Sequence, residues 1–516
     1  KNRKMGWGCA VLFSTILVPV YSSLPDARPA YDDRTFHSTS VDSYITENAP
    51  LFINQDLGIL FSNCLPNTLD TTVFSQSGRN DTFVVTGDIT AMWLRDSTNQ
   101  VLPYMKFLKD DVPLADMICG LLKRQASSVL IDTYANAFNI DNNNEGHQDD
   151  DRNPPMTGGV YEGKYELDSL AAFLKLSNQY LNATSDFSCY DYTSTTSDDD
   201  DSSDGNGLSW FDAIDAVLGV IESETADTAQ DFENGWWYSF QRETSVATDT
   251  LSEGGRGPPS RSTGMSKSYF RPSDDAQSLP FLIPANAMAV VELVKLKDTL
   301  QLLEDQGIGG SRAPSLSTRS IALAQSIEEG IWKHALNSQN VLAYEVDGYG
   351  GQYFMDDANV PSLLSLPFLG FLDLPPSRYA QSKSNSNTPK SADDDNTYDW
   401  LSVYENTRPR LLNSSTNPFY FEGSDGEGVG GPHVGYGYAW PMSITMRALT
   451  SDDDDEISAC LDLLVKSSAG TGLLHESFNV NDVSDFTRSW FAWANTLFGG
   501  LIIDLIEQKP YLILNQ

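Results

Sequence analysis

Carboxylates are the residues through which this chain could do chemistry. The five histidines form no HExxH pair and no other zinc-ligand spacing, no GxSxG elbow occurs, and no CxxC is present. Acids, by contrast, cluster five times. Gly87–Ser97 carries Asp88, Trp93, Arg95 and Asp96, and Tyr165–Ser169 carries Glu166 and Asp168. Phe270–Ala276 carries Arg271, Asp274 and Asp275, and Tyr353–Pro361 carries Asp356, Asp357 and Asn359. Leu473–Phe478 carries His475 and Glu476. Any one cluster alone reads equally well as a helix cap or a solvated acid. Five of them at successive helix starts read as a ring of carboxylates with Trp, Arg and Asn. A pyranose pocket needs such a ring, because carboxylates accept from sugar hydroxyls and two of them can act as acid and base.

The elements that must position these clusters are helices. Leu114, Met117, Ile118, Leu121 and Leu122 follow the helical apolar spacing, as do Ile457, Cys460, Leu461, Leu464 and Val465. A third series runs from Trp490 and Trp493 to Leu505, and weaker ones cover Leu167–Leu181, Phe211–Ile221, Ala285–Leu296, Ala324–Trp332 and Ala439–Leu449. Strand-like alternation is scarce. The spacing therefore predicts an all-α chain in which site loops recur at one end of successive helix pairs, as in an (α/α) barrel or toroid. No linker divides it, so residues 51–516 read as one catalytic domain, with 23–50 as an N-terminal extension. Polar, low-complexity or Gly/Pro-rich tracts near 190–206, 243–268 and 382–396 read as surface insertions.

Two weaker motifs take plain readings. Gly426, Gly428 and Gly431 fit GxGxxG, but Pro432 and His433 follow directly and no strand–helix unit frames them. A loop whose backbone approaches a ligand is the better reading. The runs Asp198–Asp201 and Asp452–Asp455 read as solvated acid, the second favouring the start of the helix at Ile457.

Composition bounds the partners. Against 33 Lys and Arg stand 71 Asp and Glu, a net charge of −38, which repels phosphate backbones and excludes a nucleic-acid partner. With 40% hydrophobic residues the chain can bury a large core. Lys1, Arg3 and Lys4 precede an apolar run to about Val20, read as a signal peptide over 1–22, with an uncleaved signal anchor as the alternative. Sequons at Asn80, Asn182 and Asn413 agree with a secretory route, extracellular or, if anchored, Golgi or membrane-bound. With Cys9 removed, Cys64, Cys119, Cys189 and Cys460 allow three full pairings, among which the sequence does not choose. No cofactor, metal or stable protein partner is expected.

The strings GDITAMWLRDS, FRPSDDA, MDDANVPSLLSLPFLG, HESF and RSWFAWANTLFGG resemble glycoside hydrolase family 125, which comprises metal-independent exo-α-1,6-mannosidases and related fungal proteins. The resemblance runs from about Leu51 to Ile506. It implies an (α/α)6 barrel and an inverting, exo-acting α-mannosidase on non-reducing terminal α-1,6-mannose of a glycan or mannan. By motif, the general base maps to Glu476 and the general acid to the Asp274–Asp275 pair, with Asp275 preferred and Asp274 free to cap the next helix. Trp93, Arg95, Asp96, Glu166, Asp168, Arg271, Asp356, Asp357, Asn359, His433 and His475 map to substrate binding. The alternatives are another (α/α)6 glycosidase, such as an α-glucosidase, and a glycan-binding protein that has lost catalysis. Retention of Glu476 with the Asp pair argues against the last.

Overall fold

The computed structural model describes residues 24–75, 77–192, 209–375, 378–379 and 398–515. The segment read as a signal, 1–22, and most of the tracts at 190–206 and 382–396 lie outside the described residues.

Among the described residues, twelve helices build the body. They are α1 (Gln55–Cys64), α2 (Leu94–Val101), α3 (Val112–Ile131), α4 (Leu167–Thr184), α5 (Trp210–Ser223) and α6 (Ile283–Asp305). The second half comprises α7 (Arg312–His334), α8 (Leu366–Leu369), α9 (Trp400–Leu411), α10 (Pro441–Leu449), α11 (Asp454–Ser467) and α12 (Ala492–Gln508). The even-numbered helices form the inner ring. Helix α2 packs on α4, α4 on α6, α6 on α8 and α10 on α12, and α12 returns to α2. The odd-numbered helices lie outside them. This is an (α/α)6 barrel, as the family resemblance implies, and one continuous hydrophobic core runs through it.

The two rings start differently. Most outer helices are capped by their own side chains: Asn54, Asp111, Ser209, Asp399 and Asp453 each accept from backbone N–H groups of the first turn. The Asp452–Asp455 run thus serves helix α11, as expected. The inner helices begin at Trp93, Glu166, Leu282, Ser365, Trp440 and Phe491, and none of these caps with its side chain. Uncapped, electropositive helix starts therefore converge on one end of the barrel, where the acids gather. Small antiparallel sheets tie the loops there, among them Met92–Trp93 with Ala137–Phe138 and Val160–Glu162, and Tyr438–Ala439 with Ser477–Asn479 and Asp482–Thr487.

Three local expectations change. Residues 243–268 are not a loose insertion, because Ser260, Thr263, Met265, Ser266, Lys267 and Ser268 are buried and Met265 enters the core. The 23–50 stretch packs on the same body: Val41 and Ile45 join the core, and Arg28 pairs with Asp70 at 2.8 Å. Asp274 does not cap a helix, since α6 starts eight residues later, at Leu282, and Asp274 lies in a turn with φ +65°. The cysteines resolve to one disulfide, Cys119–Cys189, which fastens α3 to the segment after α4, while Cys64 and Cys460 are buried thiols.

Candidate active site

The inner helix starts enclose a cavity of about 50 Å³. Trp93, Arg95 and Asp96 from α2, Asp274 from the turn before α6, Asn359 from the loop before α8, His433 and Trp440 from the approach to α10, and Glu476 and Arg488 from the hairpin before α12 line it. A larger cavity, about 360 Å³, lies between residues 228–237 and 253–269. Its buried polar groups are already satisfied: Lys267 by Asp231, Ser260 by Thr228, and the Tyr269 hydroxyl by Glu224. In the smaller cavity they are not. Trp93 Nε1, Trp440 Nε1, Arg95 Nε and Asp96 Oδ1 are buried without a hydrogen-bond partner. Buried unpaired groups are costly. Three donors and an acceptor around the cavity are what the hydroxyls of a sugar would satisfy.

Arg95, 3% exposed, organises the acids. Its Nη1 donates to Glu166 Oε2 and lies 3.3 Å from Asp168 Oδ2, its Nη2 is 3.1 Å from Asp274 Oδ1, and its Nε is 3.2 Å from Asp96 Oδ1 without hydrogen-bond alignment. Asn136 Nδ2 donates to Glu166 Oε1 at 3.0 Å and to Asp274 Oδ1 at 3.3 Å, so these two carboxyls share both donors and hydrogen-bond each other. One guanidinium thus faces four carboxylates, which cannot all ionise in a dry site. Burial pushes Glu166 well up, and pushes Asp96 and Asp168 to about 6. Burial also works against the Asp274 charge, but Arg95, the hydrogen bond to Glu166, and Lys164 hold its carboxyl below the usual range. Lys164 Nζ additionally donates to the Asp274 carbonyl at 2.8 Å, which holds the strained turn.

Asp275 lies behind this wall. Its Oδ2 accepts from Ser273 Oγ and its Oδ1 stands 3.4 Å from His433 Nδ1. Burial opposes the His433 charge, yet Asp275, Glu476 and Asp274 raise it to about 9. The remaining motif residues divide. Asn359 reaches the cavity, whereas Asp357 supports it from behind by accepting from Asn359 Nδ2 and from Ser273 Oγ. Gly431 lies against that carboxylate, where a Cβ would stand 3.0 Å from Asp357 Oδ2. Arg271 turns away to Glu345 at 2.7 Å, and Asp356 accepts from Leu363 N and Leu364 N. His475 is fully buried, with Nδ1 donating to the Arg488 carbonyl at 2.9 Å and its ring stacked on Phe486. Thus Arg271, Asp356 and His475 line no part of the cavity.

Sequence reasoning passed over Asn136, Lys164, Trp440 and Arg488. Each lies outside the acid clusters, and for Arg488 the only signal was its place in the RSWFAWANTLFGG string.

The comparisons with known proteins agree with this architecture. Residues 54–503 match the family model described as metal-independent alpha-mannosidase (GH125). The chain is 42% identical over 507 residues to the meiotically up-regulated gene 157 protein of Schizosaccharomyces pombe, covering 95% of this chain and 90% of that one. It superposes with a TM-score of 0.75, at 35% identity, on a metal-independent α-mannosidase of Streptococcus pneumoniae solved in a non-productive complex with α-1,6-mannobiose. That match covers 90% of this chain and 97% of the other. The chain therefore belongs to the metal-independent α-mannosidases of glycoside hydrolase family 125.

Proposed function

We propose that this α-mannosidase acts from the non-reducing end, removes terminal α-1,6-linked mannose and inverts the anomeric centre. The observation that carries the reading is the cavity that presents Asp274 and Glu476 from separate loops beside unpaired donors. The α-1,6-mannobiose complex of the pneumococcal relative supports the linkage.

Inversion needs a protonated acid at the glycosidic oxygen and an ionised base on the opposite face, roughly 6.5–9.5 Å away, with water between. Glu476 is the base. As acid, Asp274 is favoured over Asp275, because Asp274 lines the cavity while Asp275 is engaged by Ser273 and His433 behind it. Asp274 is held ionised at rest, so its proton comes from the partner it hydrogen-bonds. Glu166 keeps the shared proton, Asp274 takes it up as the glycosidic oxygen approaches, and the leaving oxygen receives it as the C–O bond breaks. The attacking water gives its proton to Glu476, and exchange with solvent restores both carboxyls.

The decisive assay is mannose release from α-1,6-mannobiose beside the α-1,2 and α-1,3 isomers and maltose, with the first-formed anomer read by NMR. β-Mannose from the α-1,6 isomer alone is expected. First-formed α-mannose would remove the water-activating role of Glu476. A secretory route for the protein is supported by the exposed sequon asparagines Asn80, Asn182 and Asn413 and by the disulfide. A mass loss on enzymatic deglycosylation of the protein from its native host checks it.

A further inference from the structure

Arg488 combines strain with a direct contact to the base. Its backbone sits at φ +52°, a left-handed conformation that side-chain-bearing residues rarely adopt and that gathers at functional sites. Its Nε is 3.4 Å from Glu476 Oε1, its Nη1 is 3.4 Å from Asp88 Oδ1, and its guanidinium lies over the Phe491 ring at 5.5 Å. The residues flanking the base are tied to the same place. His475 Nδ1 donates to the Arg488 carbonyl, and Ser477 N donates to Thr487 Oγ1 at 3.2 Å across the hairpin. One hairpin thus delivers the carboxylate and its cation together, and the left-handed turn at its end swings the guanidinium back over Glu476.

We propose that Arg488 is a positioning residue for the general base, orienting the Glu476 carboxylate toward the attacking water. The proposal rests on the reading of Glu476 as base. Other charged groups line the cavity or adjoin it, namely His433, Arg95, Asp96, Asp274 and Asp88. Among the described residues, Arg488 is the one that forms an ion pair with Glu476.

Arg488→Gly separates charge from strain, because glycine takes φ > 0 without penalty and the turn should persist. The expected result on α-1,6-mannobiose is a 10- to 100-fold fall in kcat with KM within about threefold. The thermal midpoint should hold or rise. Arg488→Lys retains the charge and should keep kcat within about threefold of wild type. Glu476→Gln, run in parallel, should lose at least about 10²-fold. If Glu476→Gln is inactive while Arg488→Gly keeps the wild-type kcat, the positioning role is overturned. A kcat lowered as far in Arg488→Lys as in Arg488→Gly overturns it as well. An active Glu476→Gln instead overturns the reading of the base.

Discussion

Glu166→Gln tests the proton shared with Asp274. The substitution keeps size, leaves one acceptor oxygen for Arg95 or Asn136 in place of two, and removes the titratable proton from this position. Asp274 is then the sole carboxyl in the pair, still 3.1 Å from Arg95 Nη2 and still held below the usual range. An ordinary aspartate titrates near about 3.9, so at pH 6 at most about 1% of Asp274 would carry a proton. The rate on mannobiose, whose leaving group needs protonation, should fall at least about 10²-fold, or about 2.7 kcal/mol in barrier. A mannoside with an acidic phenol as leaving group should be spared most of the loss. The basic limb of the kcat/KM profile, set in the wild type by loss of the shared proton, should move to lower pH in the variant. Stopped assays across pH 4–8 on both substrates measure all of this. If Glu166→Gln keeps mannobiose turnover within about threefold and leaves the basic limb in place, the shared-proton argument is refuted.

Asp356 is buried and pushed up to about 8, so its contribution to stability is full below the unfolded value near about 4 and is lost as pH rises through about 8. Asp356→Asn should therefore flatten the fall of the thermal midpoint between pH 4 and 8 relative to wild type, and parallel slopes would contradict the burial argument. The Cys119–Cys189 disulfide closes a sequence separation of 70 residues, so replacing both cysteines by alanine should destabilise by about 2–4 kcal/mol with turnover per folded molecule unchanged. Denaturant titration of the two proteins decides it. EDTA should leave mannobiose hydrolysis unchanged, because the chemistry proposed needs only carboxylates. Loss of activity restored by a divalent ion would contradict that.

The carboxylate clusters, their recurrence before helices and the all-α architecture were legible in the chain itself, because an amphipathic outer helix writes its buried face into the sequence at 3.6-residue spacing. Helices α3 and α11 were plain for that reason. Helix α2 was not. All eight of its residues are buried although it carries Arg95, Asp96, Asn99 and Gln100, so no apolar stripe marks it. Its polar side chains reach partners elsewhere in the chain instead, Gln100 donating to the Val85 carbonyl and Arg95 to Asp274. Motif position likewise grouped residues that the fold separates. Asp274 and Asp275 are chain neighbours, but the left-handed turn at Asp274 sends one carboxyl into the cavity with Arg95 and the other behind it to His433. His475 and Glu476 divide in the same way, one into the core and one onto the wall. Which side of a wall a residue occupies depends on backbone angles and on partners from other inner helices, tens to hundreds of residues away. Local sequence determined the residue types at the mouth of the barrel. Only the ring of inner helices decided which of them meet.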